Sequence, residues 1–372
     1  MAEPSYRSRA WAQTMSGHAV DGGVVRSHAA TRSRLQPGPV VDRRAREERE
    51  AATLRPGAAL AHGAGTRAVA ERPDPQRTCF ERDRDRIVHS TAFRRLAGKT
   101  QVVVQPTDHQ RTRLTHALEV AQVARSIAAG IGANVTLADA MALGHDCGHG
   151  PGGHASEEAF DTFLPEGFDH ATWGADVALT SLNLCAETLD GIRNHSWSRP
   201  APMTVEGEVV SFADRIAYCA HDLEDAQRAG IVTTGQIPRS VREVVGDDRR
   251  TQLATFIRSV IGATCATGEV VMGADAARAL AGLREFNYER IYTRPESQAQ
   301  SEAVISVLRG LVSYYLEHLE LVPQEFLSSG ADRVHQVVAY VAGMTDQFAF
   351  SCAEELLGWD RARLPRWLGR GF

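Results

Sequence analysis

RTRLTHALEVAQVARSI, residues 111–127, decides how the fold is read. Within it His116, Val120, Val123 and Ile127 fall at i, i+4, i+7 and i+11, on one face of a helix. The apolar pattern runs over 114–131 and stops among Gly130 and Gly132. His116 therefore points with the core-forming side chains, and an enclosed imidazole needs a partner.

Working outward, helical spacing returns over 137–145, over 156–163 ahead of Pro165, and over 172–184 and 187–195. A long helix is expected over 205–229, with Gly230 where a C-terminal glycine belongs. Further helices are expected around 238–264, 274–288, 297–320 and 331–357. Toward the N-terminus, Phe80, Ile87, Val88, Phe93 and Leu96 keep the period. A short charged helix fits 41–54, followed by a Gly/Ala-rich connector. Residues 1–40 lack periodicity, close on Gln36-Pro37-Gly38-Pro39 and read as a mobile tail. Alternating apolar runs are confined to 101–104 and 269–272. The expected class is all-α, with room for one small β-hairpin. The expected division is 1–75 (tail and short helix), 76–230 (catalytic core) and 231–372 (C-terminal helical region).

Composition narrows the function classes. A chain of 372 residues with 43% apolar and 23% charged residues can bury a sizeable core without disulfides. A net charge of −5 gives no general pull toward nucleic acid or membrane surfaces. Lys99 is the only lysine among 41 basic residues, a bias that fits a GC-rich coding sequence. The six cysteines are widely spaced with no C-x-x-C pair, which excludes a zinc knuckle and fits a reducing compartment. No apolar run reaches the ~20 residues of a membrane helix, and the N-terminus lacks a signal-like apolar stretch. A cytoplasmic protein without a membrane partner is expected.

Chemistry concentrates in the middle of the chain. Nine of the fourteen histidines lie between residues 89 and 221. His145 and Asp146 close the helix at 137–145 and are followed by glycines in GHDCGHGPGGH (144–154). Adjacent His and Asp offer an imidazole and a carboxylate from one piece of backbone, a donor mixture that divalent cations accept. Asp214, Tyr218 and Asp222 share a face of the long helix, with His221 beside them. A buried acidic stripe of that kind needs a cation or an arginine to compensate it.

The order His116, His145-Asp146, Asp214 resembles the H…HD…D signature of the HD superfamily of metal phosphohydrolases. Further stretches are similar to its deoxynucleoside triphosphate triphosphohydrolases: FERDRDRIVHSTAFRRLAGKTQV (80–102), GFDH (167–170), LDGIRNHS (189–196), ADRIAYCAHDLEDAQRAG (213–230) and AGMTDQFA (342–349). The resemblance covers roughly 78–350. It implies a helical HD fold in which His116, His145, Asp146 and Asp214 hold a divalent metal, Mn2+ or Mg2+ first, with Fe, Ni, Co or Zn open. It implies hydrolysis of a dNTP to deoxynucleoside and inorganic triphosphate. His149, His154 and Glu157 would face the triphosphate, with His154 and Glu157, three apart, as an acid/base pair in which the carboxylate orients the imidazole and raises its pKa. Arg113, Lys99 and Arg215 would carry phosphate charge, and Tyr218 would pack on the sugar, with Asp222 near it. A homo-oligomer, hexamer or tetramer, is implied, with an allosteric nucleotide or single-stranded DNA as further partners.

Two positions depart from the family. Gly152 replaces the usual phenylalanine of PFGH, which is expected to loosen the loop presenting His154. Ala171 replaces the asparagine after FDH. Other readings stay open on sequence alone: another HD activity, such as a nucleotidase or phosphodiesterase, or a nucleotide-sensing regulator with little turnover.

Overall fold

The computed structural model describes residues 5–20, 22–63, 65–102, 111–327 and 332–365. It divides into two compact units, Met1–Val41 and Asp42–Phe372. The first carries a helix α1 (Tyr6–Thr14) and an antiparallel hairpin, β1 (His18–Val20) with β2 (Val24–Arg26), in which Ala19 faces Val25. The stretch read as a mobile tail carries secondary structure, although α1 buries none of its residues. The hairpin lies here and not at 269–272, which forms no strand; 101–104 reaches beyond the described residues.

The second unit is helical: α2 (Arg43–Thr53), α3 (Cys79–His89), α4 (Thr91–Arg95), α5 (Arg113–Ile131), α6 (Val135–Gly144), α7 (His154–Asp161), α8 (His170–Trp173), α9 (Ala186–Arg193), α10 (Val205–Arg228), α11 (Arg239–Val245), α12 (Arg249–Thr267), α13 (Ala274–Asn287), α14 (Pro295–Glu317), α15 (Arg333–Ala342) and α16 (Asp346–Leu357). Starts are set by caps. Thr78 and Glu81 form a reciprocal capping box on α3, and the Asn134 side chain accepts from Thr136 N–H and Leu137 N–H at the head of α6. Among the described residues no helix is long and apolar enough to cross a membrane.

Two hydrophobic cores position the site. In the first, α5 packs on α6 and α10, and α3 on α6, burying Val120, Val123, Ile127, Leu137, Met141 and Ile216. In the second, α14 packs on α7, α15 and α16 around Phe160, Val304, Leu308, Leu311 and Phe350. The loop from His145 to Gly153 leaves α6 in one core and enters α7 in the other. Residues 42–75, grouped with the N-terminal tail on sequence grounds, are tied to the first core: Glu206, fully buried on α10, accepts from Ala59 N–H (3.1 Å) and Asn134 N–H (2.7 Å).

Three expected helices are broken. The 172–184 stretch becomes α8, a π turn (Gly174–Ala178) and a 3-10 turn (Thr180–Leu182). At Gly148 a Cβ would overlap the His170 carbonyl oxygen and the Gly174 nitrogen. Backbone meets backbone there, so the loop after Asp146 is seated directly on α8. The 238–264 and 331–357 stretches each divide in two, at Gly246 and between Ala342 and Asp346, where Asp248 and Thr345 cap new helices. Each pair of halves still reads as continuous apolar periodicity, which is why spacing alone runs through the breaks.

Candidate active site

His116 projects from α5, His145 caps the end of α6, Asp146 follows it, and Asp214 sits within α10. Their donor atoms converge. His116 Nε2 lies 3.0 Å from Asp214 Oδ1 and 3.9 Å from Asp146 Oδ2; His145 Nε2 lies 3.4 Å from Asp146 Oδ1 and 3.6 Å from Asp214 Oδ1. Ligands held about 2.1 Å from one cation stand about 3–3.5 Å from each other. His145 Nδ1–H donates to the Ala142 carbonyl (2.6 Å), which leaves Nε2 as the lone-pair nitrogen. That Nε2 is buried and has no hydrogen-bond partner among the described residues. An orphaned imidazole nitrogen beside two carboxylates fits a metal centre.

Electrostatics agree. Burial opposes charge on His145, yet Asp146 and Asp214 outweigh it and raise the imidazole to about 9. Against the same burial penalty, Arg113 and His145 hold Asp146 well below the carboxylate range, and His116 and His145 do the same for Asp214. The two carboxylates thus demand positive charge at this point, which a proton or a divalent cation supplies.

A second cluster adjoins the first. His149 Nε2 lies 3.2 Å from Asp146 Oδ1, and its ring stacks on His170 at 3.7 Å between centroids. Glu157 Oε1 accepts from His154 Nδ1–H (2.9 Å) and His170 Nδ1–H (2.8 Å). Because an ionised carboxylate only accepts, both imidazoles carry their proton on Nδ1 in these bonds. Burial would raise Glu157, but these two histidines hold it well below the usual range. His154 begins α7 and its side chain stays largely exposed. His195 anchors Nδ1–H on the Ile192 carbonyl and turns Nε2 toward His145 and Asp146, with His170 Nε2 3.3 Å away.

His116, Asp146 and Asp214 of the first cluster and His149, His154 and His170 of the second line one cavity of about 430 Å³. Arg113, Arg215, Tyr218 and Asp222 also line it. Arg113 Nη1 donates to Asp146 (2.7 Å), while its buried Nε and Nη2 have no hydrogen-bond partner among the described residues. Arg215 stacks 3.6 Å over the Trp197 ring at the same wall. Lys99 is a correction. It is buried away from the cavity, and Nζ donates to the His149 and Ala342 carbonyls. Burial pushes it down to about 8. A substrate phosphate cannot reach it. Among the cavity residues that the sequence reading did not assign are His170, which GFDH contained, and Arg284 and Tyr292, which lie in no recognised stretch. Arg284 donates to the Tyr218 hydroxyl (3.0 Å), and Tyr292 donates to Asp222. In the arginine-rich stretch, Arg82 and Arg86 pair with Glu71 and Arg84 with Asp85.

Gly152 does not loosen its loop. Its φ is +73°, a Cβ would stand 2.5 Å from Val304 Cγ1, and its N–H donates to Asp346 (2.8 Å). Val304 fills the space a side chain would take, and the backbone is tethered. Ala171 is fully buried, and Asp169 accepts from its N–H (2.9 Å) to cap α8, which carries His170.

His221, behind the site, yields a pH prediction. It is buried, donates Nδ1–H to the Ala217 carbonyl (2.8 Å), and sits near Arg111 and Glu119; burial first, then Arg111, hold it at about 3. Below its unfolded value near 6.5 the unfolded chain binds a proton that the native protein refuses. Stability therefore falls as pH drops from about 6.5 toward 3, by up to about 1.4 kcal/mol per pH unit from this group. His221→Asn keeps the donor to Ala217 and should flatten that slope in urea titrations at pH 7, 6 and 5. An unchanged slope contradicts the assignment.

Comparison with known proteins agrees with this geometry. Residues 113–219 match the HD domain, and residues 270–355 match the phosphohydrolase-associated domain. The fold and site thus define an HD-type phosphohydrolase. A deoxyguanosinetriphosphate triphosphohydrolase-like protein of Caldanaerobacter subterraneus subsp. tengcongensis is 40% identical, over 83% of this chain and 94% of the relative. One from Desulfatibacillum aliphaticivorans is 38% identical, over 82% and 95%. A deoxyguanosinetriphosphate triphosphohydrolase-like protein 1 of Deinococcus radiodurans is 35% identical, over 84% and 98%. The chain belongs to the deoxyguanosinetriphosphate triphosphohydrolase-like family.

Proposed function

We propose that this protein hydrolyses deoxynucleoside triphosphates to a deoxynucleoside and inorganic triphosphate, with His116, His145, Asp146 and Asp214 as metal ligands. One observation carries the reading: the ligand quartet and the His149–His154–Glu157–His170 cluster adjoin at Asp146, and both contribute side chains to a single cavity walled by arginines. The relatives' names support the substrate class. The mixed imidazole and carboxylate donors suit Mn2+ or Mg2+, and also Fe, Co, Ni or Zn. When bound, a divalent cation supplies Lewis acidity at phosphorus and lowers the pKa of a water.

The chain's own residues do the rest. Arg113 and Arg215, both on the cavity wall, neutralise phosphate oxygens. Glu157 fixes His154 with Nδ1 protonated, so Nε2 is the atom that exchanges a proton with the attacking water or the departing 5′-oxygen. His149 and His170, stacked between the two clusters, shape the wall on which the triphosphate lies. Tyr218 packs on the sugar, and Asp222, held by Arg111 and Tyr292, offers an acceptor for the 3′-hydroxyl.

The test is a panel of the four dNTPs with Mn2+ and with Mg2+, resolving phosphate products. Deoxynucleoside and triphosphate in equal amounts are expected. Orthophosphate or pyrophosphate as the sole inorganic product would point to another HD activity and remove this reading.

A further inference from the structure

The loop that delivers His149 and His154 is held from outside the HD domain. Asp346, the first residue of α16 and buried, divides its carboxylate between two segments. Oδ1 accepts from Gly152 N–H (2.8 Å); Oδ2 accepts from Thr100 N–H (2.9 Å) and from the Thr100 hydroxyl. Lys99 closes the other side, donating from Nζ to the His149 carbonyl and to the Ala342 carbonyl at the end of α15 (2.9 Å). The Lys99 carbonyl in turn accepts from Arg113 N–H (3.1 Å), at the start of the helix that carries His116. Both ends of the 149–152 loop are therefore fastened to the junction between α15 and α16, across the boundary of the two cores.

We infer that Asp346 and Lys99 are positioning residues: together they clamp the 149–152 loop so that His154 and His149 keep their places against Glu157 and Asp146. The inference rests on the catalytic reading of those histidines. It also accounts for the loop in this chain, since Gly152 has no side chain to anchor it and its backbone N–H is spent on Asp346. A buried carboxylate with three donors is rigid because moving any of them leaves a polar group unpaired.

Asp346→Ala removes both tethers. It is expected to raise hydrogen exchange of amides 150–154 severalfold and to lower kcat about 10- to 100-fold, the scale of a small misplacement of a catalytic group. KM and bound metal should stay at parental values. Asp346→Asn restores one acceptor and should fall between. Phe350→Leu, which thins the packing of the same helix without touching the loop, should lower the thermal midpoint yet leave loop exchange and kcat unchanged. If Asp346→Ala does not fold, Lys99→Met, which releases the His149 carbonyl, carries the same expectations. Parental loop exchange and kcat in the variant that folds, or both changes reproduced by Phe350→Leu, would overturn the clamp. A parent protein that releases no triphosphate would instead refute the proposed function, while the exchange comparison would still decide the clamp.

Discussion

His145→Ala should abolish metal binding and reduce triphosphate release at least about a thousandfold, equivalent to about 4 kcal/mol of lost transition-state stabilisation. The size follows from what His145 does. It supplies the nitrogen lying within 3.6 Å of both Asp146 and Asp214, and the Ala142 carbonyl fixes which nitrogen that is. Without it Asp214 keeps His116, and Asp146 keeps His116, His149 and Arg113, as cationic or imidazole neighbours, none of which replaces a nitrogen placed between both carboxylates. Adding Asp146→Ala should therefore cost little more activity, because two ligands of one ion are not additive. Metal content by mass spectrometry and product release should fall together. Activity within tenfold of the parent, in either variant, would remove the quartet from the mechanism.

How much of this was legible beforehand depends on where each partner lies in the chain. The helices α5, α6 and α10 were readable because their apolar faces repeat every three to four residues over two turns or more. Spacing placed His116 on a face with Val120 and Val123, and His145-Asp146 where α6 must end; their reading as one ligand set with Asp214 came from the resemblance to the HD superfamily. Helix breaks were not readable. Nor was the seating of Gly148 on the backbone of His170 and Gly174, a contact across the fold. Lys99 shows the same limit more sharply. A lone lysine in a basic stretch suggests phosphate, yet its partners are carbonyls 50 and 243 residues away. Gly152 was misjudged for a related reason: a glycine loosens a loop only where nothing holds its backbone, and Asp346 and Val304 both do. His170 was within reach, because GFDH was recognised and only its histidine's orientation was missing.

The second large effect separates proton transfer from metal binding. His154→Ala should lower kcat about 100- to 10,000-fold, the usual range for a general acid or base, with metal at the quartet unchanged because His154 belongs to the neighbouring cluster with His149, Glu157 and His170. Glu157→Gln should cost less. The amide still offers an oxygen to one imidazole, but it no longer accepts as a charge from both His154 and His170. If Glu157 acts only by orienting His154, adding Glu157→Gln to His154→Ala changes nothing further. Glu157 also holds His170, which stacks on His149 beside Asp146. An additional loss in the double variant therefore measures the His170 branch, and its size says how far the second cluster acts as one unit. A His154→Ala protein with parental kcat and full metal would show that the proton is handled elsewhere in the cavity, with His149 and His170 the next candidates by distance.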